Sequence, residues 1–480
     1  MLLPILLFFA PPPSTEDVDS TLKRFTELLS VVTTQAADPV NTERSIYDGV
    51  IPGMLRTLDP HSIFFDPEQN EQLKQMESSE RKGFGTVVSV LPGRVIILQA
   101  LAGTPSVKAG LQPGDEIVAV NGVELARIPF EQIVDFLGQS HQHRAQLIVR
   151  RPTNARLLEF VLDPELLDSP SVDRAFLLRP GIGFIRVNGF DPQTGRQLKE
   201  AIEKLGGPAL KGLVLDLRDN PGGVVQAALE AASFFLKPGQ KILSVKGRSI
   251  QDQSVDVPKE ATPYEFPVAV LVNEKTASAA EILTGALQDH DRAVVIGVPS
   301  FGKGLVQNVF PLSGNTALAL TTAFYYTPSG RSIQKPLPSG HLEIQKQSEQ
   351  FHTDSGRAVI GGGGIQPDIV KSPDAFTRLR AALDGSGIVT SFATEYLADH
   401  SGLRDNFKVT SALLEEFQVY AGQRNIQPSV TEWAQERDWV QSRLKQEIFN
   451  QAFGVAKGDE VEAARDPLVR TAVERLIARL

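Results

Sequence analysis

The sequence predicts a multidomain α/β protein, and three observations lead to this fold class. The chain has 480 residues, which is too long for one hydrophobic core and suggests about three domains. From about residue 180, apolar strand-like runs alternate with helical patterns, as in α/β proteins. Shorter strand-like runs with frequent glycines precede this part, and helical patterns occupy both ends of the chain.

Composition excludes several kinds of site. The net charge is −9 and no cluster of Lys and Arg offsets it, so we expect no nucleic-acid partner. The chain has no cysteine, which excludes disulfides, thiolate nucleophiles and zinc sites built on cysteine.

The first twelve residues predict a signal segment. Residues 1–10 are apolar and precede three prolines, but they are too few to span a bilayer. A basic n-region and a clear A-x-A cleavage site are missing, so an apolar terminus without a targeting role is the alternative. We expect an exported protein, periplasmic or associated with a bacterial cell envelope.

Residues 13–80 form an N-terminal region that we expect to be largely helical. Val18, Leu22 and Phe25 begin an apolar series at helical spacing. The segment Leu58-Asp59-Pro60-His61-Ser62 then breaks the helical pattern through its proline.

Residues 81–165 form a β-rich module. Its predicted strands are Thr86 to Val90, Val95 to Gln99, Glu116 to Asn121 and Ala145 to Arg150, and Pro129 to Leu137 is a predicted helix. The run from Ser106 to Gly122 gives a short helix, a turn, a strand and a tight Asn-Gly hairpin, and it resembles a PDZ domain.

The glycine-rich turn before the first of these strands is the predicted peptide site. A turn of this kind leaves backbone N–H groups pointing outward, where they can hold a carboxylate. With the PDZ resemblance, this implies that a peptide adds as a strand beside Thr86 to Val90. The implied peptide-binding residues are Gly83, Phe84, Gly85, Thr86 and Val87. For the two glycines alone, an ordinary turn is the commoner explanation.

Residues 166–372 form the predicted α/β core. Its strands are Gly183 to Val187, Gly212 to Leu217, Val268 to Val272 and Ala293 to Val298, and its helices are 194–205, 224–236 and 277–289. Asp216-Leu217-Arg218-Asp219-Asn220-Pro221-Gly222-Gly223 joins a strand to a helix, and amides at a helix start favour negative charge. This turn is a candidate oxyanion hole, although glycines in such a position more often form an ordinary strand-to-helix turn.

Ser278 follows the strand Val268 to Val272 and lies near the start of a helix, where a nucleophile meets the positive end of the helix dipole. A helix N-cap is the ordinary role of serine there. The nearest downstream histidine, His290, would lie roughly 18 Å away along a continuous helix, too far for proton transfer. Spacing alone leaves a distant histidine such as His61 open as the base.

Lysine is an alternative base where burial lowers its pKa. Lys303 lies between two glycines after the strand Ala293 to Val298. Gln307 is four residues further on and can orient the lysine without adding charge. A surface lysine in a glycine loop is the ordinary alternative.

Taken together, these segments closely resemble the carboxyl-terminal processing, or tail-specific, serine proteases with a PDZ domain over residues 40–372. The matching segments are Leu58-Asp59-Pro60-His61-Ser62, the PDZ run, Asp216-Leu217-Arg218 with Asn220-Pro221-Gly222-Gly223, Ala277-Ser278-Ala279-Ala280-Glu281, Gly302-Lys303-Gly304 with Gln307, Tyr326-Thr327-Pro328-Ser329-Gly330-Arg331-Ser332-Ile333-Gln334, and Gly361-Gly362-Gly363-Gly364-Ile365-Gln366-Pro367-Asp368.

The resemblance implies a crotonase-like α/β core and a serine endopeptidase that recognises C-terminal tails. It makes Ser278 the nucleophile, Lys303 the general base and Gln307 the residue that positions the lysine. The oxyanion-hole residues it implies are Gly222, Gly223 and Ala279. The mechanism needs no metal or cofactor. Gly138 stands where family members with a regulatory PDZ domain often carry arginine, so gating through that residue is not expected.

Two other function classes remain as alternatives. One is a catalytically silent PDZ scaffold that only binds peptides, and the other is an acyl-CoA enzyme, since crotonase-like folds recur there. Expected partners are proteins with exposed C-termini and an adaptor protein. Helical regions at 13–80 and 373–480 also provide surfaces through which subunits could pair.

Overall fold

The structure is a computed structural model that describes residues 15–76, 80–248, 251–337, 350–400 and 402–478. The predicted signal segment lies outside the described residues. Contacts divide the chain into two compact units. The smaller unit contains described residues 15–71, 307–322 and 337, and the larger unit contains the others.

The smaller unit is mainly helical, as predicted for this part of the chain. Its elements are α1 (Thr15–Gln35), α2 (Thr42–Arg44), a π-helical turn (Ser45–Val50), α3 (Ile51–Arg56) and β1 (Ile63–Phe65), followed by the first half of α4 (Pro67–Met76). Strand β1 was not predicted; it pairs with residues 317–319, and local patterns carry no signal for such a distant partner. Several apolar side chains of α1, including Leu22, Leu28 and Val31, are exposed.

The PDZ module has the predicted order of elements. They are β2 (Glu80–Gly83), β3 (Thr86–Leu91), β4 (Arg94–Ala100), α5 (Pro105–Ala109), β5 (Glu116–Val120), β6 (Val123–Glu124), α6 (Phe130–Ser140), β7 (Ala145–Arg150), β8 (Leu158–Leu162) and β9 (Glu165–Asp168). The sheet order is β3-β4-β5-β7-β8, so β3 is an edge strand. Asn121 and Gly122, both with positive φ, form the predicted two-residue hairpin turn.

The α/β core is built on a six-stranded sheet. The elements in this part of the sequence are β10 (Val172–Arg179), β11 (Ile182–Val187), α7 (Thr194–Leu205), β12 (Gly212–Asp216), α8 (Val225–Ser233), β13 (Lys241–Lys246), β14 (Gln253–Asp256), β15 (Val268–Val272), α9 (Ala279–Asp289), β16 (Ala293–Gly297), β17 (Leu305–Pro311), β18 (Ala317–Tyr326), β19 (Gln350–His352), β20 (Ala358–Ile360) and β21 (Ile369–Val370). Most of β17 and of β18 belongs to the smaller unit. The sheet order is β10-β11-β12-β15-β16-β21, parallel except for the first pair.

Helices cover both faces of this sheet. The C-terminal elements are α10 (Arg378–Ser386), α11 (Ile388–Asp399), α12 (Ser411–Gln423), α13 (Val430–Phe453), α14 (Val455–Arg465) and α15 (Pro467–Ile477). Alternate strand residues point to opposite faces. Leu215 and Val270 pack with α7, α8 and α9, whereas Val214 and Leu271 pack with α14 and α15. The last two helices therefore complete the hydrophobic core around this sheet.

The remaining C-terminal helices form a separate hydrophobic cluster. Phe392, Phe417 and Leu444 are buried in it. Trp433 and Trp439 are partly buried against it. Within the described part of the chain, no helix is long and apolar enough to cross a membrane.

Candidate active site

Ser278 lies in a strained turn between β15 and α9. It has φ 53° and ψ −117°, a backbone conformation that side chains other than glycine rarely adopt. Strain of this kind costs about 1–3 kcal/mol and persists only where surrounding contacts impose it. The side chain is half-buried and the next residue, Ala279, is fully buried at the helix start.

Glu281 supplies contacts that impose this turn. Its Oε2 accepts hydrogen bonds from the backbone N–H of Ser278 (2.8 Å) and from that of Lys303 (2.9 Å). Its Oε1 accepts from the Ser300 hydroxyl (2.5 Å) and from the Gly302 N–H (2.7 Å). One buried carboxylate thus joins the backbone of the predicted nucleophile to that of the predicted base.

Tyr325, on β18, makes a second connection between the same two residues. Its hydroxyl lies 2.7 Å from the Lys303 carbonyl oxygen and 3.2 Å from the Ser278 carbonyl oxygen. The ring is 2% exposed. The turn that carries Ser278 and the loop that carries Lys303 are therefore held from two sides.

Burial dominates the electrostatics of this cluster. It raises the pKa of Glu281, and the four hydrogen bonds to the carboxylate oppose that rise. All four partners are N–H or O–H donors, a set that suits an ionised, acceptor-only carboxylate. Burial, with the nearby charge of Glu281, also raises the pKa of Tyr325, so this hydroxyl stays protonated and can donate.

The glycine turn after β12 lies directly against Ser278. Gly222 has φ 96°, and a Cβ added there would come within 2.8 Å of the Ser278 Cβ and 2.9 Å of the Ala279 nitrogen. Only glycine permits this approach. The Asn220 carbonyl accepts from the Ala277 N–H (2.9 Å), which joins the two turns.

The three predicted oxyanion donors are not equivalent. The Gly222 N–H donates to Asn220 Oδ1 at 2.8 Å. The N–H groups of Gly223 and Ala279 have no acceptor among the residues that the structure describes. Gly223 is exposed, so its amide can meet a substrate.

Gln307 belongs to the smaller unit, where it contacts the Leu58–Ser62 segment. Its Nε2 donates to the His61 carbonyl oxygen. Asp59, which is 2% exposed, holds this segment by accepting from the N–H groups of His61 (2.7 Å) and Ser62 (2.9 Å). The turn that was predicted from its proline is thus an Asp-stabilised turn in contact with Gln307.

His290 has other partners. Helix α9 continues to Asp289, as the distance argument assumed, and His290 caps its far end. The two ring nitrogens lie 2.7 Å from Asp354 Oδ2 and 2.7 Å from the Lys241 carbonyl oxygen. His290 is therefore not the base for Ser278.

Arg218 connects the glycine turn after β12 to the C-terminal helices. Its guanidinium bonds Asp216 at the end of β12 through two nitrogens (2.6 and 2.9 Å). Its Nη1 bonds Asp466 Oδ2 at 2.6 Å, and Asp466 Oδ1 caps α15 by accepting from the Leu468 N–H (2.8 Å). These carboxylates raise the pKa of Arg218.

The predicted PDZ loop is a tight turn at Gly85. Gly85 has φ 77°, and a Cβ there would meet Thr104 at 2.3 Å. The N–H groups of Phe84 and Gly85 have no acceptor in the described ranges. His141, at the C-terminal end of α6, stacks edge-on against Phe84, and burial lowers the pKa of His141. Gly138 lies on α6 with open space around its Cβ position.

A serine in a strained strand-to-helix turn lies beside amides that have no acceptor in the described residues, and this is the arrangement expected of a serine peptidase. Profiles of two families match, Peptidase family S41 at residues 181–340 and the PDZ domain at residues 96–151. A carboxy-terminal-processing protease from Bartonella bacilliformis is 34% identical over 68% of this chain and 77% of its own length. The chain belongs to peptidase family S41.

A second relative agrees with this membership. A carboxyl-terminal-processing protease from Synechocystis is 34% identical over 62% of this chain and 70% of its own length. Among solved structures, the photosystem II D1 C-terminal processing protease is 24% identical, with a TM-score of 0.38 over 72% of this chain and 86% of its own.

Sequence reasoning gave no role to Glu281 or Tyr325. A signal for Glu281 exists, because Ser278 and Glu281 have the S-x-x-E spacing of a capping box. Tyr325 has no comparable signal, since its partners lie 22 and 47 residues away.

Proposed function

We propose that the chain is an endopeptidase that holds the C-terminal tail of a protein on its PDZ domain and cleaves that protein with Ser278 and Lys303. One observation carries this proposal: Glu281 Oε2 binds the backbone amides of both residues. That shared oxygen supports a nucleophile and a base that act as neighbours.

In the proposed reaction, neutral Lys303 takes the proton of Ser278 as the serine oxygen attacks the scissile carbonyl carbon. The tetrahedral intermediate collapses, the C–N bond breaks, and protonated Lys303 gives its proton to the leaving amine. Water then attacks the acyl-enzyme while Lys303 takes a proton from it. The ester C–O bond to Ser278 breaks, and Lys303 returns the proton to the serine oxygen. Apart from substrate and water, these steps use only groups of the chain.

Two further roles belong to the proposal. Gly223 and Ala279, whose amides have no other acceptor in the described residues, are the favoured donors to the oxyanion, with Gly222 shaping the turn. Gln307 would position Lys303, and its bond to the His61 carbonyl would fix its own orientation.

The substrate tail is expected to add as a strand beside the β3 edge, with its carboxylate on the Phe84 and Gly85 amides. Thr86 and Val87 would pair with the peptide, and Gly83 would close the loop. The mixed α/β core is expected to have the crotonase-like topology. We also propose that the protein is exported to a periplasm or cell envelope. Its subunits would pair through the exposed apolar side chains of α1, and an adaptor protein would be a further partner.

The test is cleavage of an unfolded protein that ends in a free apolar tail. Ser278→Ala and Lys303→Met should each abolish cleavage while leaving the thermal unfolding of the chain unchanged. Lys275→Met is the matched control, because Lys275 is exposed and lies in the same turn region as Ser278. Cleavage that survives in either Ser278→Ala or Lys303→Met would disprove the assignment. Tail binding without cleavage by the unaltered chain would support a scaffold instead.

A further inference from the structure

A cleft of about 960 Å³ lies among the C-terminal helices, in the larger unit and on a different part of it from Ser278. Its walls come from α10, α13, α14 and the start of α15. Its volume is at the upper end of the range for ligand sites, about 300–1,000 Å³. Neither the catalytic proposal nor the PDZ domain uses this cleft.

Trp439 and two arginines form one wall. The guanidinium carbon of Arg380 and that of Arg465 each lie 5.3 Å from the centroid of the indole ring. A cation over an indole face at this distance is an attractive arrangement. The indole therefore holds both guanidinium groups in place at the cleft.

The two arginines differ in their partners. Arg380 bonds Glu436 at 2.7 Å and lies 3.4 Å from Asp374. Arg465 has no ion pair or hydrogen bond from its guanidinium to any described residue, and its Nη1 is buried without a partner. Arg465 is partly buried, and its buried Nη1 lacks the hydrogen bond that a buried polar atom needs.

Three carboxylates near Arg465 already bond other arginines. Asp384 bonds Arg443 at 2.9 Å. Glu462 bonds Arg174 at 3.0 Å, and Asp466 bonds Arg218 at 2.6 Å. Burial and the charge of Arg443 lower the pKa of Arg465. The place of a carboxylate opposite Arg465 is therefore open to a group from outside the chain.

The geometry points to a second peptide site, and we propose that this cleft binds an extended segment of a partner polypeptide through an acidic side chain seated on Arg465. The planar fork of arginine matches a carboxylate through two hydrogen bonds. Lys445 and Arg470 add positive charge to the lining, and both lack an ion pair in the described residues. Asp405 and Asp438 also line the cleft and would repel a polyanion, which favours a peptide of mixed charge.

The test uses the full chain with Ser278→Ala, so that its outcome does not depend on the proposed protease chemistry. The chain has two tryptophans, and Trp433→Phe leaves Trp439 as the only indole reporter. The probe is a five-residue peptide of mixed charge, with a central glutamate, an alanine on each side of it and a lysine at each end. Both of its termini are blocked, so it has no C-terminal carboxylate for the PDZ domain. Its twin with glutamine in place of glutamate is the matched ligand.

The glutamate peptide should give a saturable change in the fluorescence of Trp439 and bind at least tenfold more tightly than its twin. Arg465→Met should weaken binding at least tenfold. Arg424→Met should leave it unchanged, because Arg424 also stacks on an aromatic ring, at Tyr420, but lies outside the cleft. Should Arg465→Met fail to fold, Arg465→Lys, which keeps the charge but loses the fork, should weaken binding severalfold.

Three results would overturn the proposal. One is equal binding of the glutamate and glutamine peptides, including no binding of either. Another is unchanged binding by the folded Arg465 variant. The third is succinate binding as tightly as the peptide with the same dependence on Arg465, which would make the cleft a site for small carboxylates.

Discussion

Two regions contain backbone amides outside helices and strands, namely the Ser278 turn with the Lys303 loop, and the PDZ loop. They differ in what accepts from those amides. At Ser278, Gly302 and Lys303 the acceptor is Glu281. In the PDZ loop the amides of Phe84 and Gly85 have no acceptor among the described residues.

We infer from this difference that the Glu281 contacts position residues, whereas the PDZ loop amides bind a ligand. A carboxylate that belongs to the chain fixes the backbone before any substrate arrives, as preorganised catalysis requires. An open set of amides instead gains its carboxylate from a ligand, so it contributes affinity. Changes in the first loop should therefore alter kcat, and changes in the second should alter KM.

The largest effect is expected from Glu281→Gln. The new NH₂ group would face two of the four donors that now point at the carboxylate, and each buried donor left unpaired costs about 1–3 kcal/mol. A displaced nucleophile loses rate steeply, so kcat should fall by about 10²-fold or more with KM nearly unchanged. Steady-state kinetics with a tail-bearing peptide measure both quantities.

Glu274→Gln serves as the control for this variant, because Glu274 is exposed in the turn before Ser278. It should leave kcat unchanged. An increase in KM with normal kcat in Glu281→Gln would show that Glu281 contributes to substrate binding and does not position the nucleophile.

The second effect concerns the open loop and needs no variant. A peptide with an amidated C-terminus lacks the charge that the Phe84 and Gly85 amides should receive. Hydrogen bonds to charged groups contribute about 1.5–3 kcal/mol, so KM should rise about 10- to 100-fold while kcat stays within about twofold. Equal KM values for the free-acid and the amidated peptides would show that the PDZ domain does not recognise the C-terminal carboxylate.

A smaller effect should follow from Asp466→Asn. Asparagine can still cap α15 through its oxygen, but its NH₂ group would face Arg218, which bonds Asp216 just before the oxyanion turn. We expect kcat to fall about threefold to tenfold, which corresponds to a transition state that is less stable by about 1 kcal/mol. The thermal unfolding midpoint should change little, and a normal kcat would show that Arg218 keeps its position without α15.

The smallest effect is a pH dependence of stability at Asp459, far from both loops in sequence. Burial raises the pKa of Asp459 to about 6, although Arg174 lies 3.1 Å away and opposes the rise. The folded protein therefore takes up this proton at higher pH than the unfolded chain. The resulting stability is full below the ordinary pKa of aspartate and is lost as the pH rises through about 6.

Asp459→Asn removes that titration, so the comparison with the unaltered chain isolates it. Between pH 7.5 and pH 4.5 the unfolding midpoint of the unaltered chain should rise by about 1–2 °C relative to Asp459→Asn. Calorimetry at several pH values measures the shift. A constant difference between the two proteins would contradict the raised pKa.

Local patterns predicted the elements that carry the site. The strand, turn and helix around Ser278 follow from an apolar run and a helical pattern, and the structure begins α9 one residue after the serine. The Asn121-Gly122 hairpin was also predictable, because an Asn-Gly pair favours a tight two-residue turn with positive φ at both residues, as observed. Contacts between neighbours in sequence are what such patterns record.

Contacts between distant residues were not predictable in the same way. Asp466 meets Arg218 across 248 residues, and β1 pairs with a strand that follows it by about 250 residues. Nor did the sequence give the strained φ of Ser278, since neither neighbour is glycine and the strain is imposed by Glu281 and the turn at Gly222. These features depend on how the sheet brings separate turns together.

The central claim is that Ser278 is a nucleophile whose proton Lys303 removes. The most direct measurement is mass spectrometry of the chain after reaction with a fluorophosphonate that carries a tail-like peptide. The account predicts one modification, on Ser278, with labelling of Lys303→Met slowed at least 100-fold and labelling of Lys275→Met unchanged. Modification at another residue, or equal labelling rates in the Lys303 variant and the unaltered chain, would contradict it.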